Sequence, residues 1–171
     1  MHERDDAEYW IDQLDLEPHP EGGYYRRTHR SETELETEAL PDRYADERAT
    51  ATSIYYLLER DDVSALHRLQ SEELWHFHYG DPVTIHQLDE HGIESVTIGV
   101  EEFQVVVPRD TWFCAEVTPD TQQTRVSKAY GYTLVGCTVT PGFEFDDFEL
   151  ADTSVIDAYD DHGEWLERFL R

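Results

Sequence analysis

From residue 24 to residue 140 the chain is cut into short runs of β-branched and aromatic residues by clusters of turn formers. These clusters are Gly22-Gly23, Asp61-Asp62, Gly80-Asp81-Pro82, His91-Gly92, Pro108-Arg109-Asp110 and Pro141-Gly142. Glycine supplies positive φ, proline presets φ and removes a donor, and aspartate bonds its neighbouring backbone, so a strand stops at each cluster. The runs between them predict strands at 24–30, 50–59, 64–69, 73–79, 83–88, 93–98, 102–107, 111–117 and 129–140. No helical segment separates these runs, and parallel strands need long crossovers, so the pattern argues against a parallel α/β sheet and for an all-β sandwich or barrel.

Helices are expected only at the ends. Over residues 5–15, Ala7, Trp10, Ile11 and Leu14 share one face, Asp5 and Glu8 have the spacing of a capping box, and Pro18 and Pro20 end the helix. A short C-terminal helix would bury Trp165, Leu166, Phe169 and Leu170. Residues 31–48 and 118–128 read as surface loops, the first long enough to hold a helical turn or to cover an opening. With no linker composition and no repeat, residues 1–171 form one domain, large enough for a proper core.

Charge narrows the function classes. The chain carries 39 Asp and Glu against 13 Lys and Arg, a formal net charge of -26. Phosphate backbones and anionic headgroups would be repelled, so neither nucleic acid nor membrane is an expected partner. Disorder is a poor reading, because 12% of the chain is aromatic and the apolar runs IYYLL, FQVVV and YTLVGCTV are present. Lys128 is the only lysine, and an acid-heavy, lysine-poor composition is similar to that of proteins adapted to molar salt, so a halophilic origin is expected. Cys114 and Cys137 lie in apolar runs, which suits buried thiols better than a disulfide framework, although pairing stays open. The first thirty residues contain no apolar h-region and no stretch approaches membrane-spanning length, so a cytoplasmic protein is expected.

The segment SALHRLQSEELWHFHYGDP, residues 64–82, is the richest in chemistry. His67, Glu73 and Gly80 stand in a spacing that resembles the first motif of the cupin superfamily, which pairs a His-x-His with a Glu and a Gly seven places after the Glu. In metal-binding members two His and the Glu join a later His inside a barrel. Here the second His position is Leu69, and the later motif falls on Pro108, Asp110 and Phe113. Three protein donors are the usual minimum for a tightly held transition metal, so no metal cofactor is expected. At most a divalent ion would sit weakly at His67 and Glu73, with His86 as the extra ligand. If Glu73 points inward, strand alternation carries Trp75, Phe77 and Tyr79 with it and turns His76 and His78 outward.

A longer resemblance runs through PHPEGGYYRRTHRS at 18–31, TSIYYLL at 52–58, the segment 64–88, VVVPRDTWFCAEV at 105–117 and LVGCTVTPGFEFDDFELA at 134–151. These motifs resemble the DUF985, or cupin_5, family. The resemblance implies a cupin double-stranded β-helix, a jelly-roll barrel with the N-terminal helix outside, usually a homodimer. It also implies kinship with the deoxysugar 3,5-epimerase cupins, which work without metal, and with germin-like and seed-storage cupins. In those epimerases a carboxylate-oriented His is the base and a Tyr the acid, and Ala65-Leu66-His67 is similar to the segment around that His.

The resemblance makes His67 the catalytic base, with Glu73 orienting it or touching the ligand; the other reading of His67 is a hydrogen-bonded barrel residue without catalytic work. Trp75, Phe77, Trp112 and Phe113 either fill the barrel core or form the apolar wall of a pocket whose few polar groups are His67, Glu73 and Gln104, and His86 and Tyr55 would be further ligand contacts. Tyr24, Tyr25, Tyr55, Tyr56 and Tyr130 are the acid candidates. Glu21 and Arg26 read as a structural ion pair or as rim groups, Arg26, Arg68 and Arg109 as anion contacts, and Glu144, Asp146, Asp147 and Glu149 as solvated carboxylates. A His is suited to proton transfer near neutral pH. The expected function is a small-molecule pocket, used by a metal-independent isomerase or epimerase of a sugar-like or carbonyl compound. The alternatives are a non-catalytic binding or sensing module and a metal enzyme with an altered ligand set.

Overall fold

A computed structural model describes residues 6–118, 129–159 and 162–171. It opens with helix α1, Ala7–Leu14, whose N-cap is Asp6, the side chain accepting from the Glu8 amide. The cap thus lies one residue later than the Asp5 expectation, and Asp5 falls outside the described residues. The helix stops before the prolines, at Asp15, which takes the left-handed conformation that often closes helices.

The strands are β1 (Glu17–Pro18), β2 (Tyr24–Arg30), β3 (Glu34–Leu35), β4 (Arg48–Ala49), β5 (Thr52–Glu59), β6 (Val63–Leu69), β7 (Glu72–Gly80), β8 (Val83–Asp89), β9 (Gly92–Ile98), β10 (Gln104–Val107), β11 (Trp112–Val117), β12 (Tyr132–Thr140) and β13 (Phe148–Leu150). The expected strands are all present, with ends moved by up to three residues. The segment expected at 129–140 starts late because buried Asp81 accepts from the amides of Tyr130 and Gly131 and from Arg60, which holds that stretch in a turn. Residues 31–48 carry β3, a 3₁₀ turn at Thr37–Ala39 and the start of β4. Most of the loop expected at 118–128 lies outside the described residues.

Two antiparallel sheets face each other, one in the order β1-β2-β5-β12-β7-β10 and the other β13-β6-β11-β8-β9, with β3-β4 a separate ribbon. Non-sequential neighbours such as β12 between β5 and β7 give the jelly-roll topology. Between the sheets lies a core that includes Tyr56, Trp75, Val135 and Cys137 from the first sheet and Ile85, Ile98, Phe113 and Val117 from the second. Helix α1 covers the outside of the first sheet at Leu57, Tyr132 and Leu134. The C-terminal segment, α2 (Thr153–Asp157), α3 (Gly163–Leu166) and a 3₁₀ turn, covers the second sheet, burying Leu166 and Phe169 against Leu66, Leu88 and Cys114. Cys114, on the outer face of the second sheet, and Cys137, on the first sheet and facing the core, are free buried thiols in different clusters, so they do not pair.

Two irregularities re-aim side chains. Between β6 and β11, Phe113 opposes His67 and Ala115 opposes Ser64, so β6 carries one extra residue. Between β7 and β12, Val135 opposes Phe77 and Leu134 opposes Tyr79, which leaves His78 as the extra residue. Bulges of this kind break period-two alternation. The second sends Tyr79 out beneath α1 instead of inward with Trp75 and Phe77. Among the described residues no helix is long and apolar enough to cross a membrane.

Candidate functional site

At one end of the space between the sheets, residues of β2, β5, β6, β7 and β12 and of the segment 143–148 enclose a cavity of about 40 Å³. Its polar floor is built from both sheets: His67 on β6 and Glu73 on β7 line it, together with Glu21, which precedes the Gly22-Gly23 bend. Gly22 and Gly23 both have positive φ, and a Cβ at either would collide with the backbone carbonyl of Val63 or Leu57, so only glycine lets the chain turn here. Asp62 accepts from the Gly23 amide at 2.8 Å and pairs with Arg171, and Tyr56 donates to the Gly22 carbonyl at 2.8 Å.

That bend presents Glu21, 7% exposed, to His67, 2% exposed. The Ala65 amide, in the bulged part of β6, donates to the Glu21 carbonyl at 2.9 Å, and the Ser64 hydroxyl donates to Glu21 Oε1 at 3.0 Å. His67 Nδ1 lies 2.6 Å from the Ala65 carbonyl, so Nδ1 carries a proton and donates. Nε2 then faces Glu21 Oε2 at 3.2 Å. Two lone pairs would repel at that distance, so one proton occupies the gap. Phe113 backs the imidazole at 4.1 Å between ring centroids. His19 accepts from the Glu21 amide at 3.3 Å, and burial lowers its pKa, so it stands as a neutral acceptor behind the pair.

Glu73 has a different environment. It is buried, its Oε2 has no hydrogen-bond partner among the described residues, and the indole N–H of Trp75 next to it on the strand is likewise unsatisfied. Desolvation, followed by the nearby Glu21 charge, pushes its pKa to about 8, against weaker opposing pulls from Trp75 and Cys137. At neutral pH it is therefore mainly a carboxylic acid. Orphaned buried polar atoms of this kind mark a strain reservoir, a catalytic group or a ligand's place.

The mouth is aromatic and cationic. Tyr25, Phe143, Phe145 and Phe148 line it, with Phe145 half exposed, and Arg27 enters from β2. Phe148 and the 3₁₀ turn Phe145–Asp147 are held by a buried bidentate pair in which Arg48 Nε and Nη2 each lie 2.8 Å from an Asp147 oxygen. Asp147 is thus not a solvated carboxylate: β4, in the loop between β2 and β5, supplies its partner.

The sequence-derived site splits into three groups. His67 and Glu73 share the cavity, but the carboxylate beside the imidazole is Glu21, with Glu73 a separate group. Trp75 and Phe113 pack in the core behind them, and Phe77 sits further along it under Phe103. His86, Gln104 and Tyr55 lie outside the barrel, a correction with a common cause. On β8 the core residue is Ile85, so His86 turns outward to Ser95, Glu116 and Trp165. On β10, Gln104 is exposed opposite His76, and on β5 Tyr56 takes the inward position, leaving Tyr55 against His78 on the outer face. Of the expected anion contacts, Arg68 pairs with Glu149 and Arg109 with Asp110, while Arg26 sits opposite the outward Tyr55. The arginine of β2 that lines the cavity, beside Tyr25, is Arg27.

The cupin fold raises the question of a metal. Leu69 lines the cavity where a second His would stand, Phe113 occupies the third ligand position, and both nitrogens of His67 are engaged. Among the described residues no cluster of three or more His, Cys, Asp or Glu is arranged to hold a metal ion. The donor set does not fit a resident metal.

Comparison with known proteins agrees with this architecture. No curated protein matches the chain. A crystal structure of a protein from Shewanella oneidensis is 34% identical, with a TM-score of 0.81 over 97% of this chain and 98% of the other. A hypothetical protein from Leishmania major is 32% identical, with a TM-score of 0.81 over 96% of this chain and 98% of the other. Oxalate decarboxylase from Bacillus subtilis matches at 16% identity and a TM-score of 0.53, covering 91% of this chain and 37% of that one, a likeness of fold alone. The family model described as Cupin superfamily (DUF985) matches residues 8–151, and with that match spanning both sheets and every residue of the cavity floor, the chain belongs to the Cupin_5 family.

Proposed function

We propose that this protein is a metal-independent proton-transfer enzyme, an isomerase or epimerase of a small carbonyl compound. One observation carries the reading: a proton-sharing His67–Glu21 pair and a neutral Glu73 carboxyl, whose buried Oε2 has no hydrogen-bond partner among the described residues, line the same small cavity. Groups of opposite readiness in one site are what paired acid–base chemistry needs.

In the proposed step the Glu21 carboxylate, held by His67 and Ser64, takes the proton from the carbon beside the substrate carbonyl. The C–H electron pair becomes the carbon–carbon π bond, and the carbonyl oxygen takes the Glu73 proton as its own π pair moves onto it. An enol results, with Glu21 protonated and Glu73 ionised. A solvent proton delivered to the other face of that carbon, with the enol O–H proton returning to Glu73 and Glu21 releasing its own to solvent, gives the epimer. Where that carbon bears a hydroxyl, loss of the hydroxyl proton to Glu73 as Glu21 protonates the former carbonyl carbon gives the isomer. His67, as an imidazolium, stabilises the carboxylate form of Glu21. The aromatic mouth and buried floor limit water at the reacting carbon.

Solvent exchange tests this. The protein is incubated in D₂O with dihydroxyacetone, glyceraldehyde and 2-butanone, and deuterium at carbons next to the carbonyl is followed by proton NMR. Wild-type protein is expected to accelerate exchange, and Glu73→Gln, which removes the acid of the step, to lower it by roughly 10² to 10⁴, the usual contribution of an acid–base group. No exchange above background with any of these compounds overturns the catalytic reading and leaves the non-catalytic binding module in its place.

A further inference from the structure

The arginines of this acidic chain are almost all in use. Arg30, Arg48, Arg60, Arg68, Arg109, Arg168 and Arg171 each hold a carboxylate, and Arg43 donates to the Gln70 carbonyl. Arg26 and Arg27 have no ion-pair partner among the described residues, and of the two it is Arg27 that lines the cavity, Arg26 lying opposite the outward Tyr55. With a formal charge of -26, a guanidinium has many carboxylates available to it. One left unpaired at the mouth of a pocket is placed for a charge that arrives from outside.

A second, independent feature faces the same space from the opposite end. Glu73 Oε2 is buried and without a partner among the described residues, and as a neutral carboxyl it donates to a carbonyl or hydroxyl oxygen. Between mouth and floor the wall is apolar, formed by Ile54, Val139, Phe143 and Phe148. A ligand that satisfies all three has an anionic end, a short apolar stem and an uncharged oxygen. The guanidinium fork matches a carboxylate with two parallel hydrogen bonds. A dianion is disfavoured, because the His67–Glu21 pair neutralises itself and leaves Arg27 as the one cation of the lining to meet the ligand in the field of an acidic protein.

We propose that the pocket takes a small monocarboxylate bearing a carbonyl oxygen, a 2-oxo acid, with its carboxylate on Arg27 and its carbonyl toward Glu73. This rests on the catalytic reading only for turnover, since binding stands on Arg27 and the cavity alone.

Calorimetric titration with 2-oxobutanoate, its uncharged counterpart 2-butanone and inorganic phosphate tests it. Wild-type protein should bind 2-oxobutanoate about tenfold or more tighter than 2-butanone, the scale of a charge-assisted hydrogen bond. Arg27→Gln should bring the two affinities within about twofold, and Arg27→Lys should recover part of the preference because it keeps charge without the fork. Thermal melts of both variants check folding, and Arg27 is exposed, so they are expected to match wild type. Equal affinity for acid and ketone, an unchanged preference in Arg27→Gln, no binding of either, or tighter binding of phosphate each overturns the proposal. Carboxylate preference without deuterium exchange overturns the catalytic reading alone, whereas exchange on 2-butanone without carboxylate preference overturns the 2-oxo acid assignment alone.

Discussion

Glu21 Oε2 stands 3.2 Å from His67 Nε2, while the other imidazole nitrogen is fixed 2.6 Å from the Ala65 carbonyl. The imidazole is therefore held at both ends by groups that the β6 bulge and the Gly22-Gly23 bend bring together. Such double restraint fixes the ring plane before a ligand arrives, so the Glu21 carboxylate that the imidazole holds is already in place for proton transfer.

The pair makes a direct prediction. Glu21→Gln keeps the volume and can still accept from Ser64, but it removes the acceptor for a proton. Deuterium exchange should fall by about 10² or more while ligand affinity changes by less than roughly tenfold, as expected when a chemical group is lost and packing is kept. Exchange kinetics and titration on the same preparation check it, and an affinity loss equal to the rate loss would assign Glu21 to ligand binding.

Glu73 should leave a mark on stability. Its folded pKa of about 8 lies above the ordinary carboxylate value, so between about pH 4.5 and 8 the folded state holds a proton that the unfolded state has released. Stability contributed by this group therefore falls as pH rises through that window, and at pH 7 the cost is on the order of 3 kcal/mol. Glu73→Gln removes a proton that must be bound and keeps a hydrogen-bonding amide. Urea denaturation at pH 5 and pH 8 should show the variant gaining on wild type as pH rises, and a pH-independent difference would mean that Glu73 titrates normally.

These residues also mark how far the sequence could be read. The strands were legible because turn clusters and period-two runs are local signals, and His67 and Glu73 because their spacing is a motif. Glu21 was visible only as an ambiguous carboxylate, since its partner is set by a bend and a bulge that join distant strands. The outward turn of His86 and the choice of Tyr56 over Tyr55 depend on strand parity, which one run of alternating residues does not reveal without its neighbours. Tyr79 followed the wrong parity because a bulge at His78 leaves no composition signal. Asp147 looked like a surface acid because its Arg48 partner lies far away in the chain.

That buried Arg48–Asp147 pair should be costly to break from one side. Both side chains are less than 5% exposed, and removing one partner strands a charge in the interior. Asp147→Asn is expected to lose about 3 to 5 kcal/mol by chemical denaturation. Because the pair pins the turn beneath Phe145 and Phe148, it should also weaken ligand binding. The joint Arg48→Met, Asp147→Leu replacement should cost less than Asp147→Asn alone, since no unpaired charge remains. A joint loss larger than the single loss would locate the stabilisation in packing around the two side chains.

Salt sets two electrostatic effects against each other in this protein. Exposed pairs such as Arg30–Glu34, Arg68–Glu149 and Arg109–Asp110 weaken as salt rises, but pairs of this class are worth only about 0 to 1 kcal/mol each. Opposing them is repulsion among the carboxylates left over when 39 acids meet 13 bases. It is long-ranged, and it shrinks as the screening length drops from about 10 Å at 0.1 M to about 3 Å at 1 M. The buried Arg48–Asp147 pair is screened little in either condition. Repulsion involves most of the surface and the pairs only part of it, so the melting temperature should rise steadily from dilute buffer to molar KCl. Sucrose, which favours compact states by exclusion from the protein surface without screening, separates the two causes. A rise with KCl well beyond that with sucrose identifies charge screening, whereas a melting temperature that is flat or falling in KCl would show that the surface pairs outweigh the net charge.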